Sequence, residues 1–264
     1  MAATPNPNHL EAIILAAGKG TRMESDLPKV CHPVGGRPMV CAVVDVCLEA
    51  GCDRVVVVVG YKQELVREAL ADYGDKVVYA EQTEQLGTGH AVMSAVDSYS
   101  DSDTANTDIF VLCGDGPLIR TQTLNKLLDL HRSTGAAGTL ATSRIDDPSG
   151  YGRIVRDDAG KFARIIEQKN ASPEELKLNE VNPSYYCVNA KAMFNALKKI
   201  KRNELTGEFY ITDIFEFMLD AGQRVEVIDA VPPQDILSIN TLEHLAQIDA
   251  IFRSRQISKE GTPS

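Results

Sequence analysis

Five consecutive valines at positions 55–59 constrain this chain more than any other feature. A run that is apolar at every residue, rather than every second one, reads as a strand buried on both faces. Apolar runs at 12–17, 77–80 and 109–113 repeat the theme. Between them lie stretches of helical spacing at 39–50, 62–71, 88–96 and 121–131, with Thr88 placed to cap the third. This alternation predicts an α/β fold, a Rossmann-like, mostly parallel sheet flanked by helices on both faces. Ligands of such sheets bind beyond the carboxyl ends of the strands.

The second half changes character. Stretches 150–155 and 162–167 flank turn residues at 157–161 and read as a hairpin. A strand is expected at 181–189, helices at 191–199, 210–221 and 241–255, and a strand at 224–228. No linker divides the chain, so a single domain over 10–257 with a β-rich insertion is expected, and 1–9 and 258–264 are expected to be flexible tails.

Composition narrows the partners. Lysine plus arginine number 27 against 37 acidic residues, a net charge of −10, and aromatics are 6% of the 264 residues. An acidic, aromatic-poor chain argues against nucleic-acid binding, which needs a basic field and stacking surfaces. No apolar run approaches the ~20 residues of a membrane span. The first nine residues show no secretory signal, so no membrane association and a cytoplasmic location are expected. The six cysteines form no C-x-x-C pair and have no histidines at zinc spacing, and are expected to be reduced, buried thiols.

One loop stands against the overall charge. The first strand runs into Leu15-Ala16-Ala17-Gly18-Lys19-Gly20-Thr21-Arg22-Met23, then Leu27-Pro28-Lys29. Small residues let backbone N–H groups converge on phosphate oxygens. Lys19, Arg22, Lys29 and Arg37 outweigh Glu24 and Asp26, and a cationic loop in an acidic protein points to an anionic ligand. The dinucleotide fingerprint fails at Met23, where its third glycine belongs, and G-x-x-x-x-G-K-[ST] is absent. On the loop alone, a solvated turn with incidental charges is the favoured reading.

The loop has company: Ala80-Glu81-Gln82, Gln85-Leu86-Gly87-Thr88-Gly89-His90-Ala91, Gly114-Asp115 with Pro117-Leu118-Ile119, Asp147-Pro148 with Gly150-Tyr151-Gly152-Arg153-Ile154, Ile166-Glu167 with Lys169, Thr206-Gly207-Glu208-Phe209-Tyr210-Ile211-Thr212-Asp213, and Asn240. In this order the series resembles the sugar-1-phosphate nucleotidyltransferases, in particular the uridylyltransferase domain of bacterial N-acetylglucosamine-1-phosphate uridylyltransferases, over about residues 11–245. The resemblance implies transfer of a uridylyl group from UTP to N-acetylglucosamine 1-phosphate by in-line attack, assisted by Mg²⁺, with release of pyrophosphate. UTP and the sugar 1-phosphate would be its small-molecule partners. It implies a nucleotide-binding half at about 10–135 and a sugar-binding half at about 136–240.

Matched residue by residue, the resemblance makes Arg22 and Lys29 the catalytic cations. It assigns Leu15, Ala16, Ala17, Gly18, Gly20, Gln82, Gly87 and Thr88 to the nucleotide, and Gly152, Glu167 and Asn182 to the sugar. Asp115 and Asn240 would hold the metal. Each has a plainer reading by itself: Asp115 a turn residue before Gly116-Pro117, Asn240 a helix cap, Glu167 an exposed strand residue.

The pattern departs in two places. The family's asparagine is usually followed by threonine and glycine, whereas this chain reads Asn182-Pro183-Ser184-Tyr185, which bears on the choice of sugar. Gly116 stands where the family tends to have valine. No hexapeptide repeat of the acetyltransferase found in bifunctional members occurs in the sequence, so acetyl transfer and a repeat-driven trimer are not expected of it. The rival readings are the same chemistry on another sugar 1-phosphate or pyrimidine nucleotide, and a non-catalytic protein that binds a nucleotide sugar. Oligomeric state is not legible.

Overall fold

Leucine, isoleucine and alanine build the first strand, β1 (His9–Leu15), in which Ala12, Ile13 and Ile14 are wholly buried. The computed structural model describes residues 9–20, 23, 25–100, 104, 106–237, 239 and 241–260. After β1 the chain runs through the glycine-rich loop to a small antiparallel pair, β2 (Pro33–Val34) and β3 (Arg37–Pro38). Then follow α1 (Met39–Glu49), β4 (Arg54–Val59), α2 (Gln63–Ala69), β5 (Val77–Glu81), α3 (Thr88–Ser94), β6 (Thr107–Cys113) and α4 (Thr121–Thr134). The second half comprises β7 (Gly138–Arg144), β8 (Gly152–Arg156), β9 (Phe162–Ile166), β10 (Glu180–Asn189), α5 (Ala190–Leu197), α6 (Ile214–Asp220), β11 (Val225–Asp229) and α7 (Leu242–Glu260).

The main sheet has the order β11-β7-β10-β6-β1-β4-β5. β1 pairs in parallel with β4 on one side and β6 on the other, β4 with β5, and β7 with β11. β10 alone runs the other way, antiparallel to both β6 and β7. The second-half strands therefore divide: β7, β10 and β11 extend the main sheet, and only the β8–β9 ribbon stands off it, attached through β10.

The valine run behaves as its composition demands. Val55, Val57 and Val59 join Ala12 and Ile14 in one core, under α1, α4 and α7. Val56 and Val58 join Ile13 and Val111 in the other, under α3, α5 and α6. All five valines are fully buried, each contributing about 1.5–3 kcal/mol relative to exposure. All six cysteines are free thiols and four of them are buried. No helix among the described residues is long and apolar enough to cross a membrane.

Three local expectations need correction. β7 escaped the sequence pattern because Thr139, Thr142 and Ser143 look like loop residues, yet all three are fully buried. Burial is tolerated at Thr139 and Thr142 because each hydroxyl has a partner: Thr139 Oγ1 lies 2.9 Å from His131 Nδ1, and Thr142 Oγ1 donates to Glu180 at 3.1 Å. The helix expected from 210 becomes α-helical only at Ile214, behind a 3₁₀ turn at Ile211–Asp213. The preceding backbone is engaged elsewhere, with Phe209 N donating to Leu86 O and Ile211 N to Thr88 Oγ1. Thr88 is accordingly the first helical residue of α3 rather than its cap. Gly87 holds the cap position without a side-chain bond.

Candidate active site

The carboxyl ends of β1, β4 and β6 meet where the strand order turns around β1, the crevice that open α/β sheets use for ligands. Leaving β1, the chain is pinned from both sides. Leu15 O accepts from Gly114 N at 2.9 Å, Ala16 N donates to Val58 O at 2.9 Å, and Ala17 O accepts from Tyr61 N. Gln85 Nε2 adds a bond to Ala17 O at 2.8 Å. The main chain at Leu15, Ala16 and Ala17 is thus fixed before any ligand arrives, and Gly18 follows with open space where a Cβ would stand.

Gly20 shapes the next turn. Its φ of +69° is left-handed, and a Cβ would stand 2.6 Å from Lys29 Cβ, so any side chain here would displace the lysine. Lys29 opens a 3₁₀ turn, Lys29–Cys31. Its Nζ lies 2.5 Å from Asp115 Oδ2, just past the end of β6. The two side chains are 15% and 24% exposed, a charge pair at the mouth of the crevice, open to a ligand on one side. Arg22, the second expected cation, lies outside the described residues, as does Asn240.

A second group gathers at the end of β5. Gln82 is 5% exposed, and its Nε2 donates to Gly87 O at 3.1 Å and meets His90 Nδ1 at 3.1 Å. Gly87 has φ +100° and a virtual Cβ 2.6 Å from Phe209 O, so only glycine fits against the 206–213 segment. Gly89 N donates to that same carbonyl at 2.7 Å. Gln82, Gly87 and Thr88 therefore form one braced unit, tied to the second half through Phe209 and Ile211.

The third group lines a cavity of about 180 Å³ between β6, β10 and the β8–β9 ribbon. It brings together Asp115, Gly152, Glu167 and Asn182, four of the expected residues from four separate stretches of sequence. Asn182 and Gly152 are register partners across β10 and β8. Asn182 Nδ2 donates to Tyr186 Oη at 2.6 Å, and its Oδ1 accepts from Ser184 N at 3.0 Å. Thr212 Oγ1 donates to Glu167 Oε1 at 3.1 Å.

Sequence reasoning missed two lining residues, Cys113 and Ile236, and marked Ser184 and Tyr185 only as a departure bearing on the sugar. Here Tyr185 Oη donates to Asp235 O and Tyr151 Oη to Ile236 O, both at 2.9 Å, and the two tyrosines hang the 233–236 turn over the cavity. Asp235 itself is fully buried. Arg120 Nη2 donates to its Oδ1 at 2.9 Å, and Arg255 Nη2 reaches the same oxygen at 2.5 Å. Nothing in the local sequence marks this clasp, because its members lie more than 100 residues apart at the extremes. Arg153, 2% exposed, braces the cavity's other rim by donating to Tyr151 O and, at 3.4 Å, to Gln168 Oε1.

Burial sets the electrostatics. It pushes the Glu167 carboxyl above its ordinary range despite the bond from Thr212, and lifts the Cys113 thiol to about 12. Asp213, beside this cavity group in sequence, is raised to about 6, by burial first and the nearby Glu216 charge second. A raised carboxyl binds its proton more tightly in the folded chain, so its contribution is intact below about pH 4 and is lost as pH rises through 6. Asp213→Asn should therefore melt at a higher temperature than the parent at pH 8, with the gap shrinking below pH 6 and gone near pH 4. An equal gap at both ends of that range would show that its charge does not matter.

Residues 12–204 match the model of the MobA-like NTP transferase domain. The chain is 42% identical over 249 residues to the bifunctional protein GlmU of Desulfotalea psychrophila, covering 94% of this chain and 72% of that protein. With the bifunctional protein GlmU of Geobacter metallireducens the identity is 44% over 246 residues, 93% of this chain and 51% of that one. The chain thus spans about half to three quarters of the length of these relatives. Among solved structures, a putative glucose-1-phosphate thymidylyltransferase from Bacillus anthracis shares the fold with a TM-score of 0.76 at 21% identity, over 92% of this chain and 95% of that one. A UDP-glucose pyrophosphorylase complexed with UDP-glucose follows at 0.74 and 18%, over 94% and 99%. The sheet order, the pinned loop after β1 and the sequence match agree: this chain belongs to the family of MobA-like NTP transferases.

Proposed function

We propose that this chain transfers a uridylyl group from UTP to N-acetylglucosamine 1-phosphate, giving UDP-N-acetylglucosamine and pyrophosphate. The observation that carries the reading is the identity of 42–44% to GlmU proteins over 93% or more of the chain. The convergence of Lys29, Asp115, Glu167 and Asn182 on one crevice supports it. In this reading the chemistry is attack of the sugar phosphate on the α-phosphorus, which asks the protein mainly to place two polyanions and offset their charge.

Lys29 neutralises charge at that point, and Arg22 is the second cation in the reading. The backbone from Leu15 to Gly20 holds the nucleotide. Gln82 reads the base: its amide nitrogen is occupied by Gly87 O and His90, which leaves the oxygen as an acceptor. Uracil presents an N3–H donor and cytosine an N3 acceptor, so a glutamine held this way favours UTP over CTP. Glu167, Asn182 and Gly152 face the sugar.

Asp115 suits a magnesium ion. Among the described residues no three His, Cys, Asp or Glu side chains are grouped to hold a metal, so an ion here would lean on Asp115, waters and substrate phosphates, as magnesium does. When bound, it would offset charge on the phosphates; Asn240 is its other ligand in the reading.

The test is pyrophosphate release by the purified chain with Mg²⁺, UTP or CTP, and a panel of sugar 1-phosphates, with Asp115→Ala as control. Release with UTP and N-acetylglucosamine 1-phosphate, lost in Asp115→Ala, is expected. Release with another sugar only would reassign the acceptor. Tight binding of UDP-N-acetylglucosamine without turnover under any condition would instead make the chain a nucleotide-sugar-binding protein.

A further inference from the structure

Ser184 adopts φ +65°, and Lys62 is the only other non-glycine residue with positive φ among the described residues. For a residue with a Cβ this left-handed backbone costs about 1–2 kcal/mol. The position is no random loop. It falls inside β10, where the register against β7 shifts between Val181 and Tyr185, and it lines the cavity beside Asp115, Glu167 and Asn182. Strained residues at a binding cavity point to a function that the strain serves.

One contact shows what the residue does there. Its N–H donates to Asn182 Oδ1 at 3.0 Å, fixing which end of that amide is the acceptor. The other end of that amide is fixed too, with Asn182 Nδ2 donating to the Tyr186 hydroxyl at 2.6 Å. Glycine would hold the same backbone and the same N–H without strain. The hydroxyl is therefore the feature that the strained conformation retains.

We propose that Ser184 is a specificity-determining residue for the sugar ring of the acceptor, its hydroxyl extending the polar cavity wall formed by Asn182 and Glu167 toward a ring hydroxyl or amide. The inference rests on the nucleotidyltransferase reading above and gives a specific role to one residue of the segment where the sequence departs from the family pattern. A pyranose carries several hydroxyls that act as donor and acceptor, and a serine hydroxyl matches either role. The nucleotide is held by other elements, so the effect should fall on one substrate alone.

Two variants, Ser184→Ala and Ser184→Gly, test it in the pyrophosphate-release assay, with each substrate varied at saturating levels of the other. Both should raise KM for N-acetylglucosamine 1-phosphate about five- to tenfold, the worth of one hydrogen bond, while KM for UTP stays within about twofold. Ser184→Gly should also melt above the parent, because it removes the strain, and Ser184→Ala should not. Unchanged sugar KM in both variants would overturn the proposal. An equal rise in both KM values would do so too, since it would mark a purely structural role. An inactive parent chain would be a different failure, that of the nucleotidyltransferase reading, and would take this inference with it.

Discussion

Lys29→Ala should lower kcat for pyrophosphate release by about 10²–10³-fold, the range seen when one charge-stabilising donor is removed from an active site. The expectation follows from placement. The ammonium is 2.5 Å from Asp115, the side chain is only 15% exposed, and its Cβ packs where a side chain on Gly20 would otherwise stand. Removing it takes positive charge from the point where the α-phosphate would sit and leaves Asp115 uncompensated beside a triphosphate. The loss should appear in kcat more than in either KM, because charge develops in the transition state. Lys29→Arg should recover only part of the rate, since the broader, planar guanidinium does not reproduce the ammonium's place beside Asp115. The pair borders solvent, so the melting temperature should hardly change. A variant with near-parental kcat would remove Lys29 from the chemistry.

The largest loss of stability is expected far from any reacting atom. Asp235→Ala should cost about 1–3 kcal/mol, because the carboxylate is buried while the Arg120 and Arg255 side chains it leaves behind are 43% and 25% exposed and partly hydrated. Asp235 is wholly buried between Arg120, at the start of α4, and Arg255, in α7. Arg255 also donates to Leu118 O at 3.0 Å, so the clasp joins the β6–α4 loop to the last helix. Deleting the carboxylate leaves two guanidinium groups facing one another across a small void. The measurement is the urea midpoint: it should fall with the slope unchanged, and Asp235→Asn should lie between the two. A shift worth less than about 1 kcal/mol would mean that solvent takes over the work of the carboxylate. Because Ile236 lines the cavity and Tyr185 hangs from Asp235 O, activity should decline before the fold does.

The first half of the fold was readable because its signals are local. A valine run, a helix of apolar residues at 39–50 and a strand at 109–113 each declare themselves within a dozen residues. β7 did not, since its buried threonines and serine depend on partners such as His131 and Glu180, 8 and 38 positions away. The site shows the same division. Asp115, Gly152, Glu167 and Asn182 were named from motifs and meet in one cavity. Asp235 was not, because it is distinguished by a tertiary clasp that leaves no mark in its neighbours, and Ser184 was marked only as a departure from the family pattern, its backbone angle being illegible.

The single reversed strand has a consequence for how such a protein can change. β10 lies directly against β6 from Tyr186, opposite Val111, onward, whereas before its bend Val181 and Asn182 are opposite Arg153 and Gly152 of β8. Asp115, just past the end of β6, and the part of the cavity wall contributed by β10 thus belong to neighbouring strands of one sheet. A few substitutions within 181–185 could exchange one acceptor for another while the lysine–aspartate pair keeps its distance. Under the proposed function, the Pro183-Ser184 pair at this bend is where such a change of acceptor is expected to begin.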